Sequence, residues 1–247
     1  MTDQQRPFVP KSAMVLSAGL GTRMRPMTET VPKPLIKVAD KHLIDYALDR
    51  FSKAGVERAI VNVHYLADMV ETHVIKRSKP EIIISDERSL LLETGGGLKK
   101  AAPHFLGDAI YCTNTDAILI DDDETEAATQ LAKTWCPEKM DALLLLAPIE
   151  KTSGYAGAGD FDCNDDGRLS FRTGETAPYV FTGLQILTPK LLEGSPNGAF
   201  STKILWDKAL QNGRLYGLVH RGFWMHVGDP AGLQAAEDRL SKLNQRQ

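Results

Sequence analysis

The sequence predicts an α/β fold, in which a mostly parallel, Rossmann-like sheet carries helices on both faces and a small β-rich insert, and three observations lead there. Short apolar runs alternate with segments of helical period through the first 150 residues, the pattern of repeated β-α-β units. Beyond residue 150 the runs shorten and crowd together, with Asn164-Asp165-Asp166-Gly167 as a turn between two of them. A content of 43% hydrophobic and 25% charged residues in 247 fits one globular unit with a sizeable core.

In chain order, residues 1–12 read as a flexible polar extension, and the run around 13–17, with Ala13 to Leu16 at its centre, as a short buried strand. Further strands are expected near 58–63, 81–85, 109–113 and 142–147, separated by helices near 42–54, 66–77, 96–102 and 124–135. The helix at 42–54 is the clearest: Leu43, Ile44, Ala47, Leu48, Phe51 and Ala54 share one face, and Gly55 stands where a C-terminal cap belongs. The insert is expected from strands near 159–163, 168–172 and 179–187. A helix near 201–212, strands near 214–220 and 223–227 and a last helix from Pro230 to about Leu243 follow. The chain reads as a single domain over 1–247, divided into parts at about 13–150, 151–228 and 229–247. Ligands bind at the carboxyl ends of strands in such sheets, so the loops after Leu16, Val63 and Thr113 should converge on one cleft.

Composition narrows the function. The net charge of −3 comes without a broad basic face, which argues against nucleic acid and for a small anionic partner. Met1 to Ala13 lacks the apolar core of a secretory signal, and no apolar run approaches the roughly 20 residues of a membrane helix, so a cytoplasmic protein is expected. Cys112, Cys136 and Cys163 are odd in number and widely spaced, the pattern of buried reduced thiols. His42, His64, His73, His104 and His220 show no ligand spacing and read as surface or packing residues. The run Asp121-Asp122-Asp123-Glu124 reads as a helix N-terminus.

The most informative segment is Leu16 to Thr28. Glycines at 19 and 21 are expected to turn the backbone sharply, at φ values closed to other residues, so that the N–H groups of Ala18, Gly19, Gly21 and Thr22 form an anion nest. Arg23 and Lys33 bring positive charge to it, a guanidinium being able to bridge two phosphate oxygens. Arg25 fits a phosphate contact or a surface salt bridge equally. A dinucleotide fingerprint would need glycine at position 24, which is Met24, and a Walker A Gly-Lys-Ser/Thr is absent. Asp116 follows the strand ending at Thr113, where one carboxylate plus phosphates suffices to hold Mg2+.

Gly19 to Thr28 reads G-x-G-T-R-x-x-P-x-T and is followed by Pro32-Lys33-Pro34-Leu35. With Glu93-Thr94-Gly95-Gly96-Gly97, Asn114-Thr115-Asp116, Phe181-Thr182-Gly183 and Trp224 to Gly228, it resembles the sugar-1-phosphate nucleotidyltransferases across nearly the whole chain, nearest to the N-acetylmuramate-1-phosphate uridylyltransferase type. The resemblance implies a Mg2+-dependent enzyme, with Mn2+ as an alternative ion, acting on a nucleoside triphosphate and a sugar-1-phosphate as a monomer or homodimer. It assigns the triphosphate to Arg23 and Lys33, the base and its ribose to Thr94 and Gly95, and the sugar phosphate to Asn114, Gly159, Asp160, Glu175, Thr182 and Gly183. The part at 13–150 then binds nucleotide and that at 151–228 binds sugar; with nothing after Gln247 for the β-helix of bifunctional relatives, a single activity is expected.

Two departures stand out. Relatives carry Glu-Lys-Pro before the Thr-Gly strand, where this chain has Gly174 to Pro178 without the lysine. The second metal aspartate of a Trp-x-Asp-Val-Gly-Thr element is His226 here, which implies a metal held by Asp116 with His226 as an auxiliary ligand or phosphate donor. Asp229, directly before Pro230, reads as a helix cap. Mannose-1-phosphate guanylyl transfer from GTP is the alternative substrate pair. A nucleotide-sugar-sensing module without turnover is the alternative class, and retention of Arg23, Lys33 and Asp116 speaks against it.

Overall fold

Apolar runs become strands, and the amphipathic segments between them become helices, in a computed structural model that describes residues 8–122 and 126–244. Residues 1–7 of the expected extension, and Asp123 and Glu124 of the acidic run, lie outside the described residues. β1 (Ser12–Leu16) leads through three short 3-10 turns to a ribbon of β2 (Lys37–Val38) and β3 (Lys41–His42). Then come α1 (Leu43–Lys53), β4 (Arg58–Val63), α2 (Ala67–Val74), β5 (Glu81–Asp86), α3 (Glu93–Ala101), β6 (Ile110–Asn114) and β7 (Ala117–Ile120). α4 (Ala127–Thr134), β8 (Ala142–Pro148), β9 (Thr152–Ser153), β10 (Phe161–Cys163), β11 (Leu169–Phe171) and β12 (Tyr179–Leu187) follow. α5 (Lys203–Gln211), β13 (Leu215–Val219), β14 (Phe223–His226) and α6 (Pro230–Asn244) complete the order.

The central sheet runs β5-β4-β1-β6-β12-β8-β13, with β1 parallel to both β4 and β6, β4 parallel to β5, and β13 parallel to β8. β12 alone in that path is antiparallel to its neighbours, β6 and β8. This corrects the placement of 179–187 in the insert: as β12 it joins the main sheet, which β13 completes at one edge. β12 can sit there because Val180, Leu184, Ile186 and Leu187 are all buried, and a strand covered on both faces needs a near-continuous apolar run. Only β10 and β11 form a side hairpin, joined to β12 where Phe161 pairs with Tyr179.

Alternation along β1 sends Ala13 and Val15 to one side of the sheet and Met14 to the other, and two cores result. The first packs Leu48 and Phe51 of α1, Val70 of α2 and Leu131 of α4; the second packs Leu98 of α3 with Leu205 and Ala209 of α5. Helices therefore cover both faces. A third cluster, of Met24, Val38, Leu43, Ile118, Met225, Val227 and Ala236, lies under a small separate sheet in which β14 pairs with β7 and β9.

Local signals also find their partners. Asp121, the first residue of the acidic run, accepts from the N–H of Ala127 at 2.9 Å and from Arg50 at 2.7 Å, and so caps the start of α4. All three cysteines are free, but of the expected buried thiols only Cys112 is buried, Cys136 and Cys163 lying partly exposed; burial pushes the Cys112 thiol up to about 12. Among the described residues no helix is long and apolar enough to cross a membrane.

Candidate active site

At the carboxyl ends of β1, β4 and β6 lies a cavity of about 350 Å³, lined among others by Ala18, Gly19, Gly21, Thr22, Arg23, Lys33, Thr94, Asn114 and Asp116. The loop after β1 forms one wall. Gly21 has φ +63°, and a Cβ there would meet Thr28 Cγ2 at 2.9 Å and Lys33 Cβ at 3.1 Å, so only glycine fits. The buried Thr28 hydroxyl donates to the Gly21 carbonyl at 2.8 Å, and Tyr65 in turn donates to the Thr28 carbonyl at 2.8 Å. Gly19 differs from its expectation. Its φ is not left-handed, and a Cβ there would enter open space, so its value is room for an approaching ligand and not a turn. Met24, fully buried, pins the loop and leaves Arg23 and Arg25 exposed on either side of it. Among the described residues Arg23 makes no hydrogen bond or ion pair, which leaves its fork of donors available to an anion.

A charge pair also lines the cavity. Lys33 Nζ stands 2.8 Å from Asp116 Oδ2, with the two side chains 13% and 22% exposed. Burial pushes the Asp116 carboxyl up, but the Lys33 ammonium and the nearby His226 outweigh it and hold the group below the usual carboxylate range. His226 moves down, first through desolvation; the Asp116 charge opposes this, while Lys33 and Arg23 add to it, so its imidazole is neutral at pH 7. Backbone register places these groups together, because His226 pairs with Ala117 and the Val227 N–H donates to the Asp116 carbonyl at 2.8 Å. Gly228 lines the cavity beside them, whereas Asp229 accepts from the Gly232 N–H at 2.8 Å and caps α6 as its position before Pro230 implies.

Beneath the cavity lies a buried polar chain that sequence reading missed. The Ser17 N–H donates to Asn62 Oδ1 at 2.7 Å, the Ser17 hydroxyl donates to the Asn62 carbonyl, and Asn62 Nδ2 donates to Glu87 Oε1 at 2.8 Å. Glu87 Oε2 then accepts from the Leu92 N–H at 3.1 Å, one residue before α3. Glu87 is fully buried, so these bonds replace its hydration and lock the loops after β1 and β5 to the start of α3. An asparagine inside the apolar run Arg58 to Val63 was a usable signal; nothing local marks Glu87. Glu87→Gln keeps the shape but offers one acceptor to two buried donors, and is expected to cost roughly 1–3 kcal/mol. The urea midpoint should fall at unchanged m-value; a surface-like effect, within about 0.5 kcal/mol, would contradict the network.

Several expected contacts lie elsewhere. The glycines of α3 serve packing. Gly95 abuts the Phe200 ring and Gly96 the Gly198 carbonyl, and both their N–H groups donate to the Phe200 carbonyl, at 2.8 and 3.1 Å. Gly95 is thus occupied within the protein, while Glu93, with φ +58°, and Thr94 line the cavity. Thr182 is fully buried and donates to the Leu145 carbonyl at 2.9 Å, so it cannot read a sugar. Gly183 has φ +94° at the β12 bulge, and a Cβ there would press on the Asn114 side chain at 3.2–3.4 Å; it makes room for that asparagine. Thr115, only 6% exposed, donates its hydroxyl to the Leu16 carbonyl at 3.3 Å. Gly159, Asp160 and Glu175 do not line the cavity. Asp160 accepts from the Phe181 N–H at 3.0 Å, and Glu175 is exposed on a loop whose carbonyl receives Arg172 at 3.1 Å.

The chain matches the nucleotidyl transferase family model over residues 12–169. It is 45% identical over 238 residues to an N-acetylmuramate alpha-1-phosphate uridylyltransferase of Caulobacter vibrioides, covering 94% of this chain and 98% of that one. It is 34% identical to a protein of the same description from Neisseria meningitidis serogroup B, covering 91% and 96%. Among solved structures, the inositol-1-phosphate CTP transferase from T. maritima superposes with a TM-score of 0.78 at 18% identity, covering 97% of this chain and 98% of that one, a likeness of fold.

Proposed function

The chain belongs to the nucleotidyl transferase family, and from that premise we propose that it joins the nucleotidyl group of UTP to N-acetylmuramate-1-phosphate, releasing pyrophosphate. The observation that carries the reading is one cavity lined by the glycine loop, with its Arg23, together with Lys33 and Asp116. An oxygen of the sugar phosphate attacks the α-phosphorus, the bond from that phosphorus to the α,β-bridging oxygen breaks, and its electron pair leaves with pyrophosphate. No enzyme nucleophile is needed. The work is to hold two anions in line and to neutralise charge as it develops.

Backbone donors around Gly21 and the Arg23 fork take the β- and γ-phosphates and stabilise the leaving group. Lys33 neutralises the α-phosphate, with Asp116 holding its ammonium in place until substrate arrives. Asn114 makes no side-chain hydrogen bond among the described residues and is seated by Gly183 at the cavity edge, in position to read the sugar phosphate. The Asp116 carboxylate, kept ionised at a strand end, fits a hard divalent cation that takes oxygen ligands and retains water. When bound, Mg2+ supplies Lewis-acid neutralisation of the phosphates. The neutral imidazole of His226 is a poor ligand for Mg2+ and a better one for Mn2+, and it can also donate a hydrogen bond to a phosphate.

The substrate pair rests on the two uridylyltransferase relatives that the chain matches over most of their length. Pyrophosphate release is measured for each of the four common triphosphates against a panel of sugar-1-phosphates, with and without Mg2+. UTP with N-acetylmuramate-1-phosphate should lead by kcat/KM and should require the metal. Preference for GTP with mannose-1-phosphate would overturn the substrate assignment, and silence with every pair would overturn the activity.

A further inference from the structure

Outside the cavity, α1 and α2 bring Asp45 together with two histidines that the sequence reads as surface or packing residues. His42 directly precedes α1, Asp45 stands three residues on and so shares its face, and His73 lies in the last turn of α2. His42 Nδ1 is 3.3 Å from Asp45 Oδ2, His73 Nε2 is 2.9 Å from the same oxygen, and the three donor atoms all lie within 4.8 Å of one another. The imidazoles meet nearly at right angles, with centroids 4.5 Å apart and planes at 70°, so they approach a common point from different directions. All three side chains are half-buried, at 28%, 15% and 25% exposure, and retain access from solvent.

We propose that His42, Asp45 and His73 form a binding site for a transition-metal cation of the Zn2+ class, separate from the catalytic cleft. Two imidazoles and one carboxylate suit such an ion and not Mg2+. Tetrahedral bonds of about 2.0–2.2 Å set neighbouring donor atoms about 3.3–3.6 Å apart. Two of the three separations here are already close to that range, and the third closes by rotation of one imidazole. The surroundings are prepared in the manner of an outer shell: Arg77 donates to the other Asp45 oxygen, Oδ1, at 3.0 Å, fixing the carboxylate and leaving Oδ2 for the metal. Arg77 also pairs with Asp49, which pairs with Lys41 at 2.6 Å. The two acids and two bases around the site balance, so a dication meets no net positive field when both imidazoles are neutral. Three protein ligands leave a fourth position for water, and the ion would tie α2 to the start of α1.

The test uses the full chain carrying Asp116→Asn and His226→Ala, so that the cleft contributes no ligand. Zn2+ binding is followed by calorimetry, and Co2+ by its visible d–d bands, which report low coordination number. One ion per chain is expected, with a rise in thermal midpoint over the same protein in chelator. Adding His73→Ala or His42→Gln should weaken binding by roughly tenfold or more and abolish the rise. Circular dichroism in chelator shows whether each variant is folded; two variants on different elements guard against one that is not. Absence of Zn2+ binding, or binding indifferent to both substitutions, overturns the site and leaves a hydrogen-bonded His-Asp-His cluster. Neither result depends on turnover.

Discussion

Asp116→Asn is expected to lower kcat/KM by about 10³-fold, the largest loss from any single conservative change in this chain. The substitution keeps the shape and removes the charge that pairs with Lys33 and that, in the proposed mechanism, holds a divalent cation. Sequence alone predicts an unchanged thermal midpoint. The structure revises this, because asparagine leaves the Lys33 ammonium, only 13% exposed, without a counter-ion. The cleft admits water, which limits the penalty to about 1–2 kcal/mol, or roughly 2–8 °C in a domain of this size. Pyrophosphate release and calorimetry on the same preparation separate the two effects. Near-normal metal-dependent turnover would remove Asp116 from the mechanism, and a collapse of stability with the loss of activity would make its role architectural.

Arg23→Ala is expected to reduce kcat/KM by about 10²-fold or more, since removing one preorganised donor to developing charge typically costs roughly 3 kcal/mol. Stability should hold within about 0.5 kcal/mol, because Arg23 is exposed and engages no side chain among the described residues. Arg25→Ala is the matched control on the other side of buried Met24, one exposed arginine removed for another. Steady-state rates at saturating and sub-saturating UTP divide the loss between kcat and KM. A contact made only in the transition state moves kcat, and one made equally to bound UTP moves KM. Unchanged rates for Arg23→Ala would mean that the glycine loop does not hold the triphosphate.

Much of the frame was legible because burial leaves a period. The apolar stripe of 42–54 became α1 at Leu43–Lys53, with the Gly55 N–H bonded to the Ser52 carbonyl, and the run at 58–63 became β4 with its pairing to β1. The cleft residues contributed by one continuous motif, Ala18 to Lys33, were legible for the same reason: their chemistry depends on near neighbours. What stayed hidden depends on distant ones. Thr182 looks like a free hydroxyl until β8 supplies the Leu145 carbonyl, and the α3 glycines look like a ligand loop until Phe200 and Gly198 lie against them. Glu87 is an ordinary acid in sequence and a buried clamp in space. Periodicity reports that a residue is inside, not what it meets there.

The pairing of β14 with β7 also sets when the cleft is complete. Asp116 and His226 meet because His226 lies opposite Ala117, at the far end of a long excursion through β8, β12 and β13. Closing so long a loop carries an entropic cost that must be met before the contact gives anything back, and such contacts form late in folding. A chain leaving the ribosome can assemble β1, β4, β5 and β6 from its first half, and with them the glycine loop. His226, opposite Ala117, and Gly228 at the cavity edge join it only once Phe223–His226 has been synthesised and has docked. A nucleotide that engages the completed cleft more tightly than the half built from β1 to β6 would draw that last docking step forward by mass action.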